Sequence, residues 1–175
     1  MNILIEGPDG CGKTTLCMKL IEYFVNDKQT VTYKHNTKVD NEPEGLLNQK
    51  IELMTAWKNN AHFIADRSNW SNIVYQTIFS DGYKMSEQQL YEMNNLFDLI
   101  IVALPSDKQK YLDHFNNLKN NREEQYQIMD KVYDRYDSIL KGKIYPKLTL
   151  GVRVVSYDMF KCSIDQLDDF VKSIF

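Results

Sequence analysis

Cysteine and net positive charge are scarce in this chain, and long apolar runs are absent. Its three cysteines, Cys11, Cys17 and Cys162, are odd in number and have no metal-ligand spacing. That argues against a disulfide framework and against a cysteine-based metal centre, and leaves reduced intracellular thiols. The formal net charge of −3 supplies no overall basic field for nucleic acid. No apolar run approaches the length of a bilayer span. The first, Ile3-Leu4-Ile5, is short and has no basic lead, unlike a secretory leader. With no repeat and no low-complexity linker, the expectation is one domain over residues 1–175, large enough to bury a real core. It is expected in the cytoplasm of its host cell, without membrane or nucleic-acid partners.

What is present is concentrated near the start. Residues Gly7 to Thr14 read Gly-Pro-Asp-Gly-Cys-Gly-Lys-Thr, which fits the phosphate-loop pattern G-x-x-x-x-G-K-[ST]. A short apolar strand precedes it. Leu16, Leu20, Ile21 and Phe24 follow at helical spacing. Gly7, Gly10 and Gly12 let the backbone wrap so that several N–H groups face one anion. The helix N-terminus adds free donors and partial positive charge. Lys13 is expected to reach the β and γ phosphates, and the Thr14 hydroxyl to ligate Mg²⁺. The donor-phosphate set is therefore Gly7, Gly10, Cys11, Gly12, Lys13, Thr14 and Thr15, and the expected donor is a purine triphosphate, ATP. Positive potential in this loop would lower the pKa of Cys11 and leave it modifiable. The alternative is a small residue at a tolerant position.

The rest alternates strand and helix, which predicts an α/β fold: a parallel sheet with helices on both faces. Helices are expected over Lys13 to Asn26, from Leu46 through Trp57, over Asn69 to Phe79 and from an N-cap at Ser86 through Phe97. Later helices are expected over residues 106–121, 122–140 and 163–175. Strands are expected at Ile3 to Ile5, Thr30 to Lys34, Ala61 to Ala65, Leu99 to Leu104 and Val152 to Tyr157. The run Leu99 to Leu104 is the most continuous and reads as a central strand buried on both faces. Residues 35–45, with Pro43, read as a loop, and Gly82 as a helix break. Trp57 reads as core. Tyr126, Met129, Val132, Tyr133 and Tyr136 form a stripe expected to pack on the sheet.

Asp66 and Arg67 directly follow the third strand. Ligands of open parallel sheets bind beyond the carboxyl ends of the strands, so this pair is expected to face the phosphate loop's crevice. A carboxylate there can hold Mg²⁺ through water or orient a nucleophile. An arginine there can grip a second phosphate. An ordinary surface ion pair is the competing reading.

Two segments carry a family resemblance. Glu6 to Thr15 is close to E-G-x-D-G-x-G-K-[ST]-T. The run Asp66-Arg67-Ser68-Asn69-Trp70-Ser71-Asn72-Ile73-Val74-Tyr75-Gln76 matches D-R-x-x-x-S-x-x-x-[YF]-Q. Both are patterns of the thymidylate kinase family, which the chain resembles in element order over nearly its whole length. The resemblance implies a P-loop NTPase-type five-stranded parallel sheet with a short lid. It implies that Asp9 bonds the sugar 3′-hydroxyl of a nucleoside monophosphate and that Arg67 binds its 5′-phosphate. Asn72 would reach the pyrimidine edge, and Tyr75 would crowd the 2′ position and favour deoxyribose. Ser71 and Gln76 would either contact substrate or cap and bond locally. The polar stretch at about residues 116–124 falls where such kinases carry a lid. Arg122, with Lys119 behind it, is the candidate to close over the γ-phosphate; a solvated helix start is the alternative.

The chain departs from the family in three respects. Its lid stretch has one arginine where relatives often have several. Tyr33-Lys34-His35-Asn36 replaces an F-P-x-R-type segment that helps bind the acceptor. The aromatic residue and arginine that read thymine have no clear match upstream of Asp66. These departures bear on base preference more than on the reaction. The chain is also shorter than typical cellular members, as in a compact phage- or virus-like one. The leading expectation is ATP- and Mg²⁺-dependent phosphorylation of a deoxynucleoside monophosphate, dTMP to dTDP, with Lys13, Asp66, Arg67 and Arg122 as the catalytic set. A deoxynucleoside kinase acting on a 5′-hydroxyl and a non-catalytic nucleotide-binding regulator remain as rivals. By analogy with the family, the chain would form a homodimer.

Overall fold

The computed structural model describes residues 1–37, 42–79, 83–119 and 123–175. Five parallel strands form one sheet in the order β2-β3-β1-β4-β5. They are β1 (Asn2–Glu6), β2 (Val31–His35), β3 (His62–Asp66), β4 (Leu99–Ala103) and β5 (Arg153–Tyr157). Every residue of β1 and β4 is buried, as continuous apolar runs at the centre of a covered sheet must be. The edge strands β2 and β5 are half-exposed.

Seven α-helices are found among the described residues: α1 (Lys13–Asn26), α2 (Pro43–Lys58), α3 (Asn69–Phe79), α4 (Glu87–Asn94), α5 (Lys108–Lys119), α6 (Glu123–Leu140) and α7 (Ile164–Ile174). Right-handed crossovers put α1 on one face, where α7 packs against it, and α2 to α6 on the other. The expected bounds of α1 and α3 match those observed. The capping box at Ser86 is present, with Gln89 N donating to Ser86 Oγ at 3.3 Å and Ser86 N donating to Gln89 Oε1 at 2.9 Å.

Several expectations need correction. Pro43 starts α2 instead of lying in a loop, because proline at a first helical position lacks an N–H that would be unbonded anyway. The buried face of α2 is Leu46, Gln49, Leu53 and Ala56. Leu47, Ile51, Met54 and Trp57 point outward, so Trp57 is not core. The stripe on α6 is buried at Met129, Val132, Tyr133 and Tyr136, yet its main neighbours are α3 and α5. A short 3-10 helix at Pro146–Thr149, whose Leu148 carbonyl accepts from Asn94 Nδ2 at 2.9 Å, was not foreseen. Gly82 lies outside the described residues. No described helix is long and apolar enough to cross a membrane.

The turn after β1 is confined by backbone. Gly7 has φ 141°, and a Cβ built there would stand 2.2 Å from the Ala103 carbonyl oxygen at the end of β4. Gly7→Ala is therefore expected to lower stability by about 3 kcal/mol or more, through left-handed strain plus overpacking. Urea unfolding of the variant against wild type checks this. An unchanged midpoint would show that the turn can move away from β4.

Candidate active site

The site lies beyond the carboxyl ends of the strands. Parallel register sets Asp66 beside both Ile5 and His35, so the last residues of β1, β2 and β3 arrive at one level. The phosphate loop leaves β1 there. Gly10 and Gly12 adopt φ of 74° and 83°, left-handed values open to glycine, and Gly12 leads straight into α1. Lys13 is buried, with Nζ donating to the Pro8 carbonyl at 2.6 Å. Thr14 and Thr15 are exposed at the loop's mouth.

Beneath the loop, Glu6 is fully buried and accepts from four donors. Ser68 N (2.7 Å) and Ser71 N (3.1 Å) reach Oε1; Ser71 Oγ (2.6 Å) and Tyr136 OH (2.9 Å) reach Oε2. Ser68 immediately precedes α3 and Ser71 lies in its first turn, so a carboxylate from β1 caps that helix and complements its dipole. Tyr136 is buried beside this carboxylate, and burial is the first cause that pushes its phenol well above the ordinary value, so it stays a donor.

Arg67 takes a left-handed conformation, φ 74°, while its N–H still bonds the Ile5 carbonyl at 2.9 Å. Its guanidinium donates to Ser71 Oγ at 3.2 Å, pairs with Asp9 and sits 5.1 Å from the Tyr75 ring centroid. Tyr111 OH donates to the Asp9 carbonyl at 2.9 Å and fixes the loop from α5. Asp66 is buried; its Oδ2 pairs with His35 Nδ1 at 2.9 Å and accepts from Tyr33 OH at 3.4 Å, while Oδ1 has no partner.

Two cavities meet here. One, of about 170 Å³, is lined by Gly10, Gly12, Lys13, Thr14, Thr15 and Asp66, together with Asp9, His35 and Arg67. The other, of about 500 Å³, shares those last three and extends along Asn36, Ser71, Asn72, Tyr75, Gln76 and Phe79. The loop lysine and the strand-end arginine thus line one continuous cleft. The smaller end suits phosphates and a divalent cation. The larger end, apolar with a few polar groups, suits a nucleoside.

A thymidylate kinase of Pediococcus pentosaceus is 33% identical to this chain over 138 residues, a stretch covering 63% of each. The chain resembles the thymidylate kinases. The matched stretch spans less than two thirds of that relative's length. No protein-family model matches the chain. The YorR protein of Bacillus subtilis, solved in complex with phosphorylated GDP, superposes with a TM-score of 0.73 at 21% identity, covering 99% of this chain and 95% of YorR. That likeness shows the α/β fold, a five-stranded parallel sheet flanked by helices.

The thymidylate kinase motif residues Asp9, Arg67, Ser71, Asn72, Tyr75 and Gln76 all line the larger cavity. They are not equally available. Ser71 braces Arg67 against Glu6. The Asn72 amide donates to the Tyr83 carbonyl at 3.0 Å and accepts from Met85 N at 3.3 Å, so it ties down the segment after α3. Gln76 Oε1 and the Tyr75 hydroxyl are buried without partners. Arg122 and the middle of the lid stretch lie outside the described residues, and α5 runs to Lys119.

Burial removes the modifiable-thiol reading of Cys11 and leaves the small-residue one. Desolvation raises its pKa and outweighs Lys13 and Arg67, which lower it. Its thiol donates to the Pro8 carbonyl at 2.8 Å, and all three cysteines are free.

Sequence reasoning missed four contributors. Glu6 stood in the quoted motif but had no role. The helical stripe gives Tyr136 a packing role alone. His35 and Asn36 stand in the sequence only as a departure from the family. Asn36 lines the larger cavity; its Nδ2 donates to the Arg67 carbonyl at 2.6 Å, and its Oδ1 is buried without a partner.

Removing the Glu6 carboxylate strands buried donors. Glu6→Ala is expected to cost about 3 kcal/mol or more, while Tyr136→Phe, which loses one hydroxyl, costs about 1 kcal/mol. Denaturant titration of both variants checks the ranking. Equal costs would mean that the tyrosine, not the carboxylate, holds the strand to α3.

Proposed function

We propose that this chain phosphorylates a deoxynucleoside monophosphate with ATP, with dTMP as the acceptor and dTDP as the product. The single observation carrying the reading is that Lys13, from the phosphate loop, and Arg67, from the end of β3, line one cavity. Two anion-binding groups at that junction suit a reaction in which two phosphates meet. The similarity to a thymidylate kinase supports the acceptor class. The phosphorylated GDP in YorR is a reason to test purines as well.

In this mechanism Gly10, Gly12 and the start of α1 offer backbone N–H groups to the donor phosphates. Lys13 leaves the Pro8 carbonyl to neutralise charge that develops on the transferred group. Arg67, braced by Ser71 and Asp9, holds the acceptor phosphate in line, and an acceptor oxygen attacks the γ-phosphorus as ADP leaves. The donor set suits Mg²⁺: Thr14 and Asp66 line one small cavity, and Asp66 Oδ1 is buried without a partner. When bound, the ion would offset negative charge on the donor phosphates. Tyr75 walls the sugar, and Arg122 would act from a lid over residues 116–124. No covalent intermediate is needed.

A second reading, a deoxynucleoside kinase, is favoured by one observation. A hydroxyl acceptor needs a nearby base, and His35, paired with Asp66, lines both cavities.

Lys13→Ala is expected to abolish turnover, on the order of a thousandfold or more, in a coupled ADP assay. An undiminished rate would remove the loop from the chemistry. A panel of dTMP, dGMP, dAMP, dCMP and thymidine, each offered with ATP, separates the readings. Turnover of monophosphates is expected; turnover of thymidine alone would overturn the monophosphate reading.

A further inference from the structure

Every fourth residue from Arg67 borders the larger cavity: Arg67, Ser71, Tyr75 and Phe79 all line it. Residues four apart share a helix face, about 6 Å further along the axis at each step. The Arg67 guanidinium lies 5.1 Å from the Tyr75 ring centroid. The Tyr75 and Phe79 rings stand 6.2 Å apart with an interplanar angle of 4°. A guanidinium and two aligned rings therefore run outward from the phosphate end of the cleft. Phe79 is 48% exposed. The inner side of α3 is packed by Trp70, Ile73 and Val74. The core thus gives no reason for an aromatic ring at the last position of this helix.

The row has the order of a nucleotide. With its phosphate on Arg67 and its sugar against Tyr75, a nucleoside monophosphate brings its base to Phe79, one helical step on. An aromatic face holds a base by stacking, and every base has such a face to offer. Telling bases apart requires polar groups set against their edges. The Asn72 amide, expected at the pyrimidine edge, is committed to the Tyr83 carbonyl at 3.0 Å and the Met85 N–H at 3.3 Å. Asn36 Oδ1 and Gln76 Oε1 are buried, and an atom closed to water is closed to a base edge. Among the described residues, Arg67 is the only lysine or arginine that lines this cavity, and it belongs to the phosphate end. A volume of about 500 Å³ has room for a purine as well as a pyrimidine.

We propose, on the monophosphate reading above, that Phe79 is the stacking platform for the acceptor base, and that the site takes purine and pyrimidine deoxynucleoside monophosphates alike. dTMP is then one acceptor among several. Affinity for the base comes from ring contact, and selection falls to the phosphate and sugar ends of the cleft.

Steady-state kinetics with ATP and each of dTMP, dCMP, dAMP and dGMP test this in wild type, Phe79→Ala and Phe79→Leu. The four wild-type kcat/KM values are expected within about tenfold of one another, where edge readout would separate them by about 10⁴. Phe79→Ala is expected to raise KM about tenfold for all four, a larger effect than on kcat. Phe79→Leu keeps apolar bulk without a ring face and should lose almost as much. Calorimetry without ATP adds a probe that has no base, 2-deoxyribose 5-phosphate. It should bind wild type and both variants equally, while the four monophosphates bind the variants about tenfold more weakly. A wild type that prefers one base by about a hundredfold or more overturns the proposal. So do variants that bind the monophosphates as wild type does, or that weaken the baseless probe equally. Calorimetry needs no turnover. An inactive wild type would therefore remove the kinase reading, while the binding ratios still decide the role of the ring.

Discussion

A single buried carboxylate ties the sheet to two of the helices that cover it. Glu6 ends β1 and takes its donors from α3 and α6, elements that follow much later in the chain. A buried anion is tolerated only when its lone pairs are filled, and here four donors fill them. The consequence is positional. The phosphate loop begins one residue after Glu6, and Arg67 lies one residue before the first amide that Glu6 accepts. The same side chain therefore sets the spacing between the two anion-binding groups of the cleft.

Around that anchor the site is graded in stiffness. Ser71 hands the order of Glu6 on to the Arg67 guanidinium, and Tyr111 fixes the backbone of Asp9. Lys13 is held by a carbonyl and a thiol sulfur of its own loop, contacts that an incoming phosphate can replace. Asn36, Tyr75 and Gln76 line the larger cavity, each with a buried oxygen that has no partner.

What was legible in the sequence follows from locality. The strand, the glycine turn, Lys13 and α1 are neighbours in the chain, so spacing alone places them. Asp66 and Arg67 could be placed because the end of a parallel strand is a known position in space. Glu6 could not be given its role, since its partners are Ser68, Ser71 and Tyr136, and no local pattern links them. Periodicity identified α2 as a helix yet could not tell inner from outer apolar residues, because both faces carry them; hence the misplacement of Trp57. The motif placed Asn72 on the cavity wall, but its ties to the Tyr83 and Met85 backbone depend on a chain crossing that spacing does not encode.

Asn36 shows what one committed nitrogen can fix. Its amide cannot turn over, because the Arg67 carbonyl would then face an oxygen across 2.6 Å. Its Oδ1 is consequently buried with no donor of its own, a handicap of about 1–3 kcal/mol. The same bond latches the chain just beyond β2 to the left-handed turn at Arg67.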